Sequence, residues 1–111
     1  MSDIESLKLA IKSHYREIRS TEDLAKFTKN SIQTVRKDFL REENTTLAAF
    51  IRRTRIEKAK ELLEETRLPC HVICRRVGFN REDVGERAFK RLTGRTMIEY
   101  RRSSGIDPRP D

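Results

Sequence analysis

Five positions in the middle of this chain recur near its end in the same order and spacing, three with the same residue and two with a similar role. Phe39, Arg41, Asn44, Thr46 and Phe50 are matched by Phe89, Arg91, Gly94, Thr96 and Tyr100 at one constant offset. Upstream, Leu24-Ala25 pairs with Ile73-Cys74 at an offset one residue shorter, so the turn in the second copy is one residue longer. Such a repeat requires two similar units. Two copies are too few for a solenoid, in which three or more repeats stack to complete the core.

Each unit is expected to be helical, because apolar residues recur at three- and four-residue steps. The chain holds only 4 Gly and 3 Pro, which disfavours a turn-rich β fold. A first helix is expected over residues 4–19, with Ile4, Leu7, Ile11, Tyr15 and Ile18 in one stripe. Ser20 or Thr21 caps a second helix, with Glu22 and Asp23 in the first turn, where the dipole favours acids. Leu24, Ala25 and Phe27 form its buried side, and Asn30 ends it. Ser31 caps a third helix that buries Val35 and Phe39 and ends near Asn44.

Thr46 caps a long fourth helix reaching about residue 67, with Phe50, Ile51, Ile56, Ala59, Leu62 and Leu63 as its apolar positions. Pro69 suits the first turn of a fifth helix, where a missing N–H costs nothing. That helix buries Cys70, Ile73, Cys74 and Val77 and ends at Gly78. Asn80 caps a sixth helix, which buries Val84 and Phe89 and ends at Gly94; Thr96 caps a short seventh through Arg102.

The expected fold is therefore all-α: seven helices forming two homeodomain-like helix-turn-helix units, 4–45 and 68–102, joined by a linker helix over 46–67. Residues 103–111, with Ser103-Ser104-Gly105 and Pro108-Arg109-Pro110, read as a flexible tail after a single domain over 1–102.

Charge narrows the choice of partner. With 25 Lys and Arg against 18 Asp and Glu the chain carries +7, which points to a polyanion, nucleic acid before an anionic membrane surface. No run of about 18 apolar residues exists to span a bilayer. Met1-Ser2-Asp3-Ile4-Glu5 brings early acids and no apolar signal core, so the expected location is the cytoplasm.

Cys70 and Cys74 stand four apart, a poor placement for a disulfide within one helix. Cys70-His71-x-x-Cys74 offers three ligands where a closed zinc site needs four. Both cysteines read as small core hydrophobes, and no metal, cofactor or small-molecule site is expected within the chain. A phosphate loop and a nucleophile–base set are both missing from the sequence, so it is not read as an enzyme.

In a helix-turn-helix the second helix enters the major groove. The third helix exposes Ile32, Gln33, Arg36, Lys37 and Leu40; Gln pairs with adenine and Arg with guanine through two hydrogen bonds each. The sixth exposes Arg81, Glu82, Asp83, Glu86 and Arg87, an acidic set that repels phosphate but can accept from a cytosine amine. Arg41 on one side, and Lys90, Arg91, Arg95, Arg101 and Arg102 on the other, supply cations for phosphate. A linker of about 20 residues is a rod of roughly 30 Å, close to the ~34 Å of one DNA turn. The two reading helices are thus expected in neighbouring major-groove segments.

Several stretches carry a family likeness over about residues 4–102. Arg55-Ile56-Glu57-Lys58-Ala59-Lys60-Glu61-Leu62-Leu63 resembles the linker-helix pattern R-[IL]-x-x-A-x-x-L-L of the AraC/XylS transcription regulators. Val77-Gly78-Phe79, Phe89-Lys90-Arg91-Leu92-Thr93-Gly94 and Tyr100-Arg101 are similar to that family's second-motif signature, and Leu24-Ala25, Ser31, Val35 and Phe39 to its first motif. The sequence departs from the pattern at Gly85 (usually Phe), Met97 (usually Pro), Asn44 (usually Gly) and Cys74 (usually Ala).

The resemblance implies a sequence-specific regulator that binds double-stranded DNA, an activator that touches RNA polymerase. It implies base reading by Gln33, Arg36, Lys37, Glu82, Asp83, Glu86 and Arg87, to which the exposed Arg81 is added as an expected base reader; phosphate contact is expected of Ser31, Thr34, Arg41, Asn80, Lys90, Arg91 and Arg95. It leaves open whether the chain stands alone or belongs with a separate effector domain. The competing reading is a helical protein-interaction module or antagonist with weak DNA binding, supported by the acids of the sixth helix.

Overall fold

The computed structural model describes residues 2–104. The expected tail at residues 105–111 lies outside them. Seven helical elements and no strand occur among the described residues. They are α1 (Asp3–His14), a 3-10 helix (Thr21–Phe27), α2 (Ile32–Glu43), α3 (Leu47–Glu65), α4 (Cys70–Arg76), α5 (Glu82–Thr93) and α6 (Met97–Ser103). The chain divides into two compact units between Thr54 and Arg55, inside α3.

The first unit closes around Ile4, Leu7, Ile11, Ile18, Leu24, Val35, Phe39, Leu47 and Ile51, with Phe27, Ile32 and Phe50 packed against them. Each such side chain withdrawn from water contributes about 1.5–3 kcal/mol before entropy is charged against it. Ser2 caps α1, its hydroxyl accepting the Glu5 N–H at 3.2 Å.

α1 stops at His14, five residues short of the expected end. The cause lies downstream: Asp23 Oδ2 accepts the N–H groups of Arg19 at 2.8 Å and Ser20 at 3.3 Å, taking the chain out of the helical path. Ile18 is buried all the same. The second element is a 3-10 helix, whose three-residue turn puts Leu24 and Phe27 on one side. Ala25, expected inside, is therefore exposed.

The second unit buries Ile56, Ala59, Leu63, Ile73, Cys74, Val77, Phe79, Phe89 and Met97. Pro69 is the N-cap of α4, its carbonyl accepting the Ile73 N–H at 3.0 Å. Gly78 follows α4 at φ +110°, a region open to glycine and strained for other residues. Arg81, not Asn80, occupies the N-cap of α5.

Val84, expected in the core, is 44% exposed. The buried stripe of α5 is Gly85 and Phe89, four residues apart, and Val84 falls off it. α6 runs one residue beyond the expected end, and Ser103 and Ser104 hydroxyls donate to the Tyr100 and Arg101 carbonyls, each at 2.7 Å.

The repeat read from sequence is visible atom by atom. Asn44 (φ 56°) and Gly94 (φ 80°) both end their helices left-handed, donating to Leu40 O at 3.0 Å and Lys90 O at 2.8 Å. Thr46 and Thr96 both cap the next helix, each hydroxyl accepting an N–H at 3.1 Å, from Ala49 and Glu99. Phe39 meets Phe50 edge-on at 5.4 Å and 77°, and Phe89 meets Tyr100 at 5.5 Å and 78°.

Candidate nucleic-acid interface

α2 and α5 follow a turn in their own units, and each turns a polar face outward. On α2, Val35 and Phe39 anchor the buried side, which leaves Gln33 and Lys37 exposed and Arg36 half-buried. Ser31 caps the helix: its hydroxyl accepts the Thr34 N–H at 3.3 Å and donates to Thr34 Oγ1 at 3.0 Å. Both residues expected at phosphate thus also fix the N-terminus of α2. Arg41 is exposed and pairs with Asp38 at 2.8 Å. Arg36 is less free: its Nη2 donates to Glu22 Oε1 at 2.6 Å and to the Thr21 hydroxyl. Nothing in the sequence signalled Glu22 as its partner, since the two residues sit on different helices.

On α5, Arg81, Glu82, Asp83 and Arg87 are exposed. Asp83 is internally neutralised: Arg81 donates to it from Nε at 3.0 Å and Nη2 at 3.1 Å, and Arg87 stands 3.9 Å away. Glu86 is half-buried, and burial, with the Glu82 charge adding to it, raises its pKa; the Met97 N–H works against the rise. Asn80, Lys90, Arg91 and Arg95 are exposed.

A groove of about 410 Å³ runs beside Arg36, Lys37, Leu40, Thr46 and Leu47, and one of about 500 Å³ beside Glu86, Arg87, Lys90, Arg91 and Thr96. The two are the same place in the repeat. At corresponding positions Arg36 has become Glu86, Lys37 Arg87 and Leu40 Lys90.

Arg101, grouped by sequence with the phosphate-seeking cations, is only 1% exposed. Its Nε donates to Leu63 O at 3.2 Å and its Nη2 to Thr66 O at 3.1 Å. It satisfies carbonyls at the end of α3, which lack partners within the helix. Its neighbour Arg102 is exposed.

Cys74 is buried with Sγ 3.7 Å from Met97 Sδ, and burial, then the charges of Glu86 and Glu82, push its thiol up to about 12. Cys70 is half-buried and shifted the same way by burial and then the Glu86 charge, with the Arg101 charge working against the rise. Both behave as apolar packing groups, while His71 is exposed. No helix among the described residues is long and apolar enough to cross a membrane.

A family model described as a helix-turn-helix domain matches residues 24–103. The chain belongs to the AraC-type helix-turn-helix family. It is similar to the C-terminal domain of AraT, a response regulator from Geobacillus stearothermophilus, at 27% identity and a TM-score of 0.88, covering 100% of this chain and 93% of that one. An AraC-type transcriptional regulator from Chromobacterium violaceum matches at 19% identity and a TM-score of 0.86, over 92% of this chain and 91% of the other. The DNA-binding domain of AdpA, a global transcriptional factor solved in complex with a target DNA, matches at 20% identity and a TM-score of 0.86, over 93% of each chain. No curated protein matches the sequence. AraC-type domains are not an enzyme family.

Proposed function

We propose that this AraC-type domain is a sequence-specific regulator that binds double-stranded DNA and reads two successive major-groove segments through α2 and α5. One observation carries the reading: the same helix, with the same left-handed end, the same buried Phe anchor and an outward polar face, is built twice in one chain. The AdpA relative, solved on its target DNA, supports it. Base contact falls to Gln33, Arg36 and Lys37 in the first unit, and to Arg81, Glu82, Asp83, Glu86 and Arg87 in the second. Ser31, Thr34, Arg41, Asn80, Lys90, Arg91 and Arg95 contact phosphate.

The first unit supplies most base discrimination. On α5, Asp83 and its arginines are paired with each other, and Glu82 and Glu86 repel phosphate. That second unit mainly holds the backbone. Activation by contact with RNA polymerase at a bacterial promoter, in the nucleoid, and coupling to an effector domain follow from the family resemblance.

Selection of bound sequences from a random duplex library tests the reading. Two half-motifs about one helical turn apart are expected, the one read by α2 more sharply defined. A single half-motif removes the two-segment reading. Failure to retain any duplex, selected or random, at low salt favours the protein-interaction alternative that the acids of α5 support.

A further inference from the structure

Arg36 Nη2 is committed twice, to Glu22 Oε1 at 2.6 Å and to the Thr21 hydroxyl. A guanidinium pairs bidentately with guanine either side-on, through Nε and Nη2, or end-on, through Nη1 and Nη2. Nη2 belongs to both forks. With its two hydrogens taken, neither fork is open, although Arg36 shares a helix face with Lys37 and lines the same groove.

We infer that Glu22 and Thr21 form a latch on the first unit that holds Arg36 out of bidentate base contact until DNA displaces it. The inference rests on the assignment of Arg36 to base reading proposed above. The latch is open to solvent, with Arg36 and Glu22 side chains 40% and 62% exposed. Exposed pairs are weak, so a matching base can break this one. The hydrogen bond from Arg36 also holds the Glu22 carboxyl below its ordinary pKa.

The second copy has neither half of the device. Where the repeat places Thr21, Glu22 and Arg36, it carries Cys70, His71 and Glu86. A clamp from a neighbouring helix is therefore particular to the first unit; in the second, Arg81 and Arg87 are engaged instead by Asp83 of α5 itself. Glu22 is a positioning residue: it acts through Arg36.

The experiment is a double-mutant cycle on affinity for a duplex selected by the unaltered chain. Glu22→Ala is expected to tighten binding by about two- to fivefold, the range an exposed ion pair allows. Arg36→Ala weakens binding, and adding Glu22→Ala to it brings no recovery. A gain from Glu22→Ala that persists without Arg36 marks simple relief of repulsion from phosphate and overturns the latch. No gain at all overturns it too, as does an Arg36→Ala variant that binds as before, which also removes Arg36 from the base-reading set; in each of these the unaltered chain still retains its duplex, so DNA binding through the two units stands. Failure of the unaltered chain to retain any duplex removes both. Melting of every variant by circular dichroism, expected to match the unaltered chain within a few degrees, shows that the differences arise at the interface.

Discussion

Arg101 and Glu86 are charged side chains placed against backbone rather than open water, and their consequences for stability run in opposite directions. The Arg101 guanidinium serves carbonyls of Leu63 and Thr66 that no helical N–H can reach. Arg101→Met keeps most of the apolar stem and removes both bonds. It is expected to cost about 2–4 kcal/mol, as hydrogen bonds to charged groups do, read as a lower urea midpoint for the second unit. Phosphate affinity is not the property that changes.

Glu86 lies in the opposite regime. Burial, then the Glu82 charge, raise its folded pKa above the unfolded 4.5. The folded state thus holds the proton more tightly, and stability falls as pH rises through the interval between the two values. Glu86→Gln is expected to raise Tm at pH 7 and to leave it unchanged near pH 3.5, where both states are protonated. A gain of equal size at both pH values would mean that Gln packs better, with ionisation playing no part. Asp3, Asp23 and Glu99 act with the reverse sign. Backbone N–H groups, those of Lys29, Arg19 and Thr96 first, lower their pKa, so their contribution is lost as pH falls.

Among elements, α5 shows best what a sequence reveals and what it hides. Its end at Gly94 and its anchor Phe89 followed from helical period and repeat. Its core face did not, because Val84 is the apolar residue and Gly85 the buried one. A residue without a side chain carries no hydrophobic signal. The cause is contact: a Cβ at Gly85 would lie 2.7 Å from Cys74 Sγ and 3.1 Å from a Phe79 ring carbon. Cys74 and Gly85, two of the departures from the family pattern, are thus one compensated pair.

Gly85→Ala is expected to destabilise by about 1–2 kcal/mol, since overpacking outweighs the gain in helix propensity. In a Cys74→Ala background the sulfur is gone, while the Phe79 ring carbon at 3.1 Å and the Cβ of residue 74 at 3.2 Å remain, so the same change should cost less. Thermal melts of the four proteins give the coupling, and additivity would show that the two sites do not compete for space. The shortened α1 and the exposed Ala25 were hidden for a related reason: one depends on Asp23 bonding back to Arg19 and Ser20, the other on a 3-10 turn, and an α-helical period encodes neither.

For the whole molecule the plan is legible in the repeat: the structure bears out the caps at Thr46 and Thr96, though not the one at Asn80, and adds a matching aromatic contact in each unit. The individual roles of the charged residues were less legible, because a list of cations does not say which are already spent. Arg101 is spent on carbonyls, and Arg36 and Arg81 are engaged by carboxylates. Arg91, by contrast, is exposed beside the groove of the second unit. This difference sorts the expected effects on DNA. A cation that only neutralises phosphate releases counterions whatever the sequence, contributing about 0.9 to the slope of log K against log salt. Arg91→Ala should therefore weaken selected and random duplexes by the same factor and flatten the slope by about that amount. Lys37→Ala should instead weaken the selected duplex more than the random one, with the loss mapping to the half-motif read by α2. Titrations of both variants at several salt concentrations separate these outcomes. If Arg91→Ala proved the more sequence-selective change, the proposed division of labour between the units would be reversed.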